Sequence, residues 1–366
     1  MNSETIEEPK PKEYFSGRGA QVNPSNRFFK TSYVQEHWEG IDEDSLMENK
    51  RTQYIEVFPK TIVNKVDSPD VGRGYSMNPY QGCEHGCLYC YARNSHEYWG
   101  YSAGMEFEQK ILVKKNAPQL LEELFQKPKW NPEPIMFSGN TDCYQPVEKK
   151  LKLTRGILET VLKYKHPVSM ITKNSLITRD IDLLQELAKH NLVHVMVTIT
   201  STDEKVRLQL EPRTTTYKQR FKAIETLSKA GIPVGVMVAP IIPAITSHDV
   251  PNVIKTAAEH GAKTAGYTIV RLNGAIGDVF KDWLEKNYPD RAQKVWNQIS
   301  DCHGGQVNDS RYGTRMRGEG NIAESIRTLF YISVKKFMGE RQHFEFNTKA
   351  FINRHNAQTS LFDDLA

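Results

Sequence analysis

From residue 134 to residue 272, short apolar strands alternate with amphipathic helical stretches, and this rhythm restricts the fold more than any other feature of the chain. Strand-like runs at 134–138, 167–172, 192–200, 232–239 and 263–272 are separated by helix-periodic runs at 147–164, 179–190, 216–230 and 248–260; Gly231 and Gly261 close the last two helices. Strands buried on both faces and joined by amphipathic crossovers define parallel βα units. A further strand at 75–80 brings the count to about six units, which right-handed crossovers wind into a barrel or partial barrel. The expected fold class is therefore α/β, a partial (β/α)6 barrel of the TIM type, with its chemistry at the C-terminal ends of the strands.

The flanks read differently. Residues 1–70 form an N-terminal extension: a polar leader at 1–13 expected to be disordered, a Gly/Asn/Pro-rich loop at 17–28, an acidic stretch at 36–48 and a strand at 52–63. The barrel is assigned to 71–275, with an added strand at 107–113 and a helix at 117–125. Residues 276–366 form a C-terminal extension packing on the barrel, with helices at 278–287, 291–299 and 322–337, a Gly/Arg-rich loop at 301–320 and a frayed last dozen residues.

Between the first strand and the first helix lies Gly82-Cys83-Glu84-His85-Gly86-Cys87-Leu88-Tyr89-Cys90-Tyr91. Cysteine is scarce, five in 366 residues, yet three fall in this one loop, at C-x3-C-x2-C spacing. Thiolate is the preferred ligand of iron–sulfur clusters, and three thiolates hold three corners of a cuboidal cluster while leaving one iron open to a small molecule. Gly82 and Gly86 let the loop fold closely around such a group. The same thiols are also compatible with a zinc site completed by His85 or His96, which would make the chain a non-catalytic nucleic-acid or interaction module. A C-x-x-C redox pair in Cys87 and Cys90 normally belongs to a smaller βαβ context, and a disulfide framework fits poorly with an odd cysteine count.

Hydrophobic residues make up 39% and charged residues 25%, and no apolar run approaches the ~20 residues of a membrane span. No membrane partner is expected. The polar N-terminus lacks the apolar region of a signal peptide, so the reducing cytoplasm is the expected location. A formal net charge of +4 allows a local nucleic-acid patch without arguing for one.

The cysteine spacing, with an aromatic before the last cysteine, resembles the signature of the radical S-adenosylmethionine (SAM) enzymes. Asn78-Pro79-Tyr80-Gln81-Gly82-Cys83, Cys90-Tyr91-Ala92-Arg93, Thr141-Asp142-Cys143-Tyr144-Gln145-Pro146, Leu210-Glu211-Pro212-Arg213 and Val238-Ala239-Pro240-Ile241-Ile242-Pro243 narrow the resemblance to a bacterial subfamily of the spore photoproduct lyase-like group. It runs from about residue 17 to about residue 335. It implies a [4Fe–4S] cluster on Cys83, Cys87 and Cys90, with SAM as co-substrate. It also implies reductive cleavage of SAM to a 5′-deoxyadenosyl radical that abstracts hydrogen from a substrate, and a one-electron donor such as flavodoxin or ferredoxin. The substrate is left open: a small molecule or peptide, or a nucleic-acid lesion or modified base extruded into the barrel mouth.

By position, the resemblance brings Tyr89 near the adenine of SAM. Ser138, Gly139 and Asn140 replace the family's Gly-Gly-Glu segment for the SAM amino group, with Asp142 as a candidate carboxylate. Lys173, Thr198, Thr200 and Ser201, at strand ends, suit ribose or carboxylate. Glu211 and Arg213 match a Glu-Pro-Arg segment whose guanidinium suits the SAM carboxylate, and Pro240 belongs to an apolar adenine-side wall. Cys143 ends the second barrel strand, and a thiol there is either a hydrogen-atom donor to a carbon radical or a small buried hydrophobe. Arg311, Arg315 and Arg317, with Tyr312, either grip phosphate or anchor the tail by ion pairs.

Overall fold

The computed structural model describes residues 17–28, 51–70, 72–340 and 343–353. The expected leader at 1–13, the acidic stretch at 36–48 and the frayed last dozen residues lie outside these.

Ten strands are described: β1 (Gln53–Val57), β2 (Val63–Ser68), β3 (Gly72–Met77), β4 (Tyr80–Gln81), β5 (Lys110–Lys114), β6 (Ile135–Phe137), β7 (Val168–Thr172), β8 (Val193–Thr198), β9 (Val234–Ile241) and β10 (Thr264–Ile269). Seven of them form one curled sheet in the order β10-β9-β8-β7-β6-β3-β2. β3 and β6 to β10 run parallel, the six strands the alternation predicts, and β2 adds antiparallel to β3. The result is a half-barrel of the partial TIM kind. β1, β5 and β4 make a separate three-stranded sheet beside the cysteine loop.

The strands depart from expectation in one informative way. Burial along β7 alternates: Val168, Met170 and Thr172 are buried, while Ser169 and Ile171 are partly open. The outward side chains pack under the crossover helices, with Val195, Val197, Val236 and Val238 fully buried. The inner face is left to line a cavity, because six strands cannot close a barrel and fill it with side chains as eight do.

Three local differences have identifiable causes. The expected strand at 107–113 opens as a helical turn, Glu106–Gln109, tied by Lys110 Nζ to Glu106 Oε1 at 2.5 Å, and only then becomes β5. The expected strand at 52–63 breaks before Pro59, which has no N–H for a ladder. The helix expected at 147–164 divides at Lys152 (φ 54°), where buried Glu148 takes the Thr154 amide at 3.1 Å and starts the second helix, Leu153–Lys163.

The C-terminal helix Gly320–Met338 packs on the Val250–Glu259 helix and on β10. Ahead of it, residues 307–318 meet the C-terminal end of β10, with Ile269 N donating to Met316 O (2.9 Å) and, just past the strand, Leu272 N to Val307 O (2.7 Å). This strap then crosses to the other edge of the sheet. Arg315 pairs with Asp70 and donates to Ser68 Oγ at 2.6 Å, at the end of β2.

Candidate active site

The cysteine loop leaves β4 and is fixed by backbone bonds: Cys83 N to Phe107 O (2.9 Å), Leu88 N to Leu210 O (3.1 Å) and Arg213 N to His85 O (3.3 Å). Gly82 (φ 82°) and Gly86 (φ 68°) hold left-handed turns, and a Cβ on Gly82 would lie 2.7 Å from Lys110 O. Fully buried Arg93 pins the loop from inside. It donates to Cys87 O (2.9 Å) and Gly104 O (2.8 Å) and pairs with buried Glu108 at 2.5 Å. Glu108 in turn receives the amides of Gly19 (3.0 Å) and Ala20 (2.8 Å), so the N-terminal segment lies directly on the loop. Nothing in the sequence marks Arg93 and Glu108 as partners.

All five cysteines are free thiols. Cys83 and Cys87 are 6% exposed, and Cys90 is partly open and lines the cavity. Burial pushes the Cys83 thiol well above its ordinary range, and the nearby Asp142, Cys87 and Cys90 push the same way. Burial also raises Cys87, against the pull of the Lys173 ammonium. Three thiolates at this spot therefore call for a compensating cationic group. Among the described residues no three His, Cys, Asp or Glu side chains converge on a point that one metal ion could fill. Three thiols on one short loop suit three corners of a cuboidal cluster. The donor set fits the cluster.

The cavity enclosed by the sheet, the strap and the C-terminal helix measures about 1040 Å³. Tyr89, Cys90 and Tyr91 enter it from the cysteine loop; Ser138 and Gly139 from the turn after β6; Lys173, Thr198 and Pro240 from β7 to β9. Ser138 stands at φ 64° and the Ala239–Pro240 peptide is cis. The Tyr91 hydroxyl donates to Gly139 O. Lys173 Nζ sits 5.7 Å from the Tyr89 ring centre. Burial alone would lower the Lys173 pKa, but Cys87, Glu211 and Cys90 outweigh it, so the net shift is upward and the ammonium persists. Among the described residues, the buried Thr198 hydroxyl has no hydrogen-bond partner.

Other residues named from the sequence are brought close but already engaged. Asn140 donates to Gln81 Oε1 (3.1 Å) and Ser95 Oγ (3.0 Å). Asp142 accepts from Tyr144 N (2.8 Å), Thr172 Oγ1 (2.8 Å) and Lys173 N (2.8 Å) and lies 3.4 Å from His85 Nδ1. Burial would raise its pKa, but His85 and those donors hold it at about 2. Ser201 donates to Asp249 at 2.7 Å, and Thr200 bonds Tyr217 OH (2.6 Å) and Glu211 (3.2 Å).

The guanidinium that pairs with Glu211 is that of Arg220, at 2.6 Å, with both residues fully buried; the Tyr89 hydroxyl donates to the same carboxylate. Arg213 points elsewhere, to Glu84 (3.6 Å) and Thr52 (3.4 Å), with its amide tied to His85 O (3.3 Å). It does not line the cavity. Cys143 packs in the main core, 1% exposed, and does not line the cavity either. Of the tail arginines, Arg311 pairs with Asp309 and Glu319, and Arg315 with Asp70. These two are anchors.

A half-barrel of six parallel strands with a three-cysteine loop after the first defines a class of protein, and the comparisons agree. The family model of the radical SAM superfamily matches residues 77–257. An uncharacterized protein of Methanocaldococcus jannaschii is 32% identical over 252 residues, covering 69% of this chain and 90% of the relative. One of Mycobacterium tuberculosis (strain H37Rv) is 32% identical over 240 residues, covering 65% and 71%. The chain belongs to the radical SAM superfamily of enzymes. Its fold is similar to that of spore photoproduct lyase complexed with dinucleoside spore photoproduct (TM-score 0.57, 15% identity, 80% of this chain and 82% of the other). A variant of that lyase with bound AdoMet and the same dinucleoside gives a TM-score of 0.58 at 14% identity, covering 82% and 84%. Among the described residues no helix is long and apolar enough to cross a membrane.

Proposed function

We propose that Cys83, Cys87 and Cys90 hold three irons of a [4Fe–4S] cluster and that SAM occupies the adjoining part of the cavity. Reduced by a flavodoxin- or ferredoxin-type donor in the reducing cytoplasm, a cluster held there would supply the single electron that cleaves SAM to methionine and a 5′-deoxyadenosyl radical, which would take a hydrogen atom from the substrate. The chain's own residues bind and orient. The observation carrying this reading is a loop of three free thiols opening onto a cavity that holds two unused polar groups, the Lys173 ammonium and the Thr198 hydroxyl. Lys173 suits the SAM carboxylate, since no carboxylate of the described residues pairs with it. Thr198 suits a ribose hydroxyl, and a buried hydroxyl without a partner gains most from one.

Ser138, Gly139 and cis-Pro240 shape the wall around the cofactor. Asn140, Asp142, Thr200, Ser201 and Glu211 hold that wall in place through the bonds described above. Fully buried Arg93 and Glu108 exclude water from beneath the cysteine loop.

The test is anaerobic incubation of the reconstituted protein with SAM and a strong one-electron reductant, reading 5′-deoxyadenosine. The expected result is nucleoside from the native chain and none from the Cys83/Cys87/Cys90 triple alanine variant. A colourless protein carrying one zinc and forming no nucleoside would overturn the reading.

A further inference from the structure

The cavity wall carries a charge that SAM alone does not use. Six Lys and Arg side chains line it, against the two carboxylates of Asp70 and Glu340, an excess as large as the +4 of the whole chain. Lys173 stands beside the cysteines. Arg271 lies just past β10 and lines the same cavity as Tyr91. Arg271 is partly buried, and its described hydrogen bond goes to a backbone carbonyl, Asp309 O, at 3.3 Å. Among the described residues no carboxylate lies within ion-pair distance of it. Among its charged neighbours the cation Arg315 acts on it most strongly, with Asp70 and Asp309 pulling the other way, and Arg315 is already committed to Asp70 and Ser68. Asp309 is likewise committed, to Arg311.

The guanidinium groups of Arg271 and Arg315 line the same cavity and repel one another, and the single carboxylate of Asp70, paired with Arg315, leaves a net positive charge. Such an arrangement is stabilised when an anion enters. A planar guanidinium with free N–H groups is the donor best suited to a phosphate or carboxylate. SAM has a single carboxylate, and Lys173 beside the cysteines is the cation placed to meet it. A pocket holding a drug-sized ligand spans about 300–1,000 Å³, so a cavity of about 1040 Å³ has room for SAM and a second, modest ligand.

We infer that Arg271, with Arg315 pinned beside it, is the subsite for a phosphate or carboxylate group of the substrate, so that this enzyme acts on an anionic molecule. This rests on the radical SAM reading for the word substrate, but the anion subsite itself does not.

The experiment is calorimetric titration of the reconstituted protein with inorganic phosphate at low ionic strength, with and without saturating SAM. Native protein, Arg271→Gln and Arg271→Lys are compared. Glutamine removes the charge and keeps a polar side chain, and Arg271→Lys keeps the charge while losing the fork. Phosphate binding should persist beside bound SAM, fall at least tenfold in Arg271→Gln and fall less in Arg271→Lys, with SAM affinity held within about twofold. Repeating the titration with acetate and with a short thymidine oligonucleotide tells a carboxylate or a phosphodiester from a free phosphate, and Arg271-dependent binding of any of them upholds the subsite. Equal anion binding by native protein and Arg271→Gln overturns it. Loss of SAM affinity with phosphate binding intact also overturns it, because Arg271 would then serve the cofactor. Iron, sulfide and SAM binding measured on the same samples report separately on the radical reading.

Discussion

Replacing Arg220 by methionine tests the network behind Tyr89. Arg220 is fully buried and spends its donors on Glu211 (2.6 Å), Thr198 O (3.0 Å), Thr215 O (3.0 Å) and Thr214 Oγ1. Methionine fills much of the volume but leaves the Glu211 carboxylate with only Thr200 and Tyr89, and strands two carbonyls. Breaking a buried pair from one side costs about 3–5 kcal/mol. Glu211→Gln alone leaves the guanidinium uncompensated and should cost a comparable amount. The double variant buries neither charge, so its loss should fall short of the sum of the singles by about 2–3 kcal/mol. Urea unfolding of the iron-free chain, followed by tryptophan fluorescence, reads all four corners of the cycle, and a coupling under about 0.5 kcal/mol would refute the reasoning. The same samples report on the site: without Arg220, Glu211 is left to draw on Lys173, and SAM should bind more weakly.

Thr198→Val should weaken SAM binding about fivefold while leaving iron and sulfide content unchanged, since it removes one hydrogen bond and no thiol; unchanged SAM affinity would count against the ribose assignment. In Gly19→Ala the new methyl would run into the Gly86 carbonyl, with the carbonyl carbon at 2.9 Å, so iron loss to a chelator should accelerate several-fold relative to native protein; an unaltered half-time would mean the segment does not brace the loop. His166 is packed against Phe125 with ring centres 4.4 Å apart, and burial lowers its pKa from 6.5 to about 3, the bond to Pro167 O opposing. A neutral buried histidine means the unfolded chain binds the extra proton between those two values, so stability falls as pH drops from 6.5 towards 3, by an amount of the order of 4 kcal/mol. His166→Phe should flatten that part of the pH–stability curve, and parallel curves for the two proteins would defeat the argument.

The alternation of apolar strands and helices made the six parallel strands legible, because a half-barrel buries its outer face under helices whatever fills its inside. The cysteine spacing was legible for a different reason, since the ligand requirement of a cluster is written in consecutive residues. What escaped the sequence was pairing over distance. Glu211 has two arginines near it in sequence, at 213 and 220, and only the folded chain shows that Arg220, held by Thr198 O and Thr215 O, is the one that meets it. Gly19 reads as an ordinary loop glycine until the chain returns to lay Gly86 against it. The free guanidinium of Arg271 is likewise invisible, because a lone arginine after a strand looks the same with or without a carboxylate opposite.

The strap at the end of β10 has a consequence for how the chain must be made. A strand at the end of a sheet offers unpaired N–H and C=O groups to any passing strand, and here the segment that caps the end of β10, taking Ile269 N at Met316 O, lies some forty residues downstream, at 307–318. A nascent chain halted before residue 307 would already possess its full curled sheet but expose one raw margin and an open apolar interior. Truncations in this region should therefore yield self-associating material, because the C-terminal helix and the segment before it would no longer lie against β10.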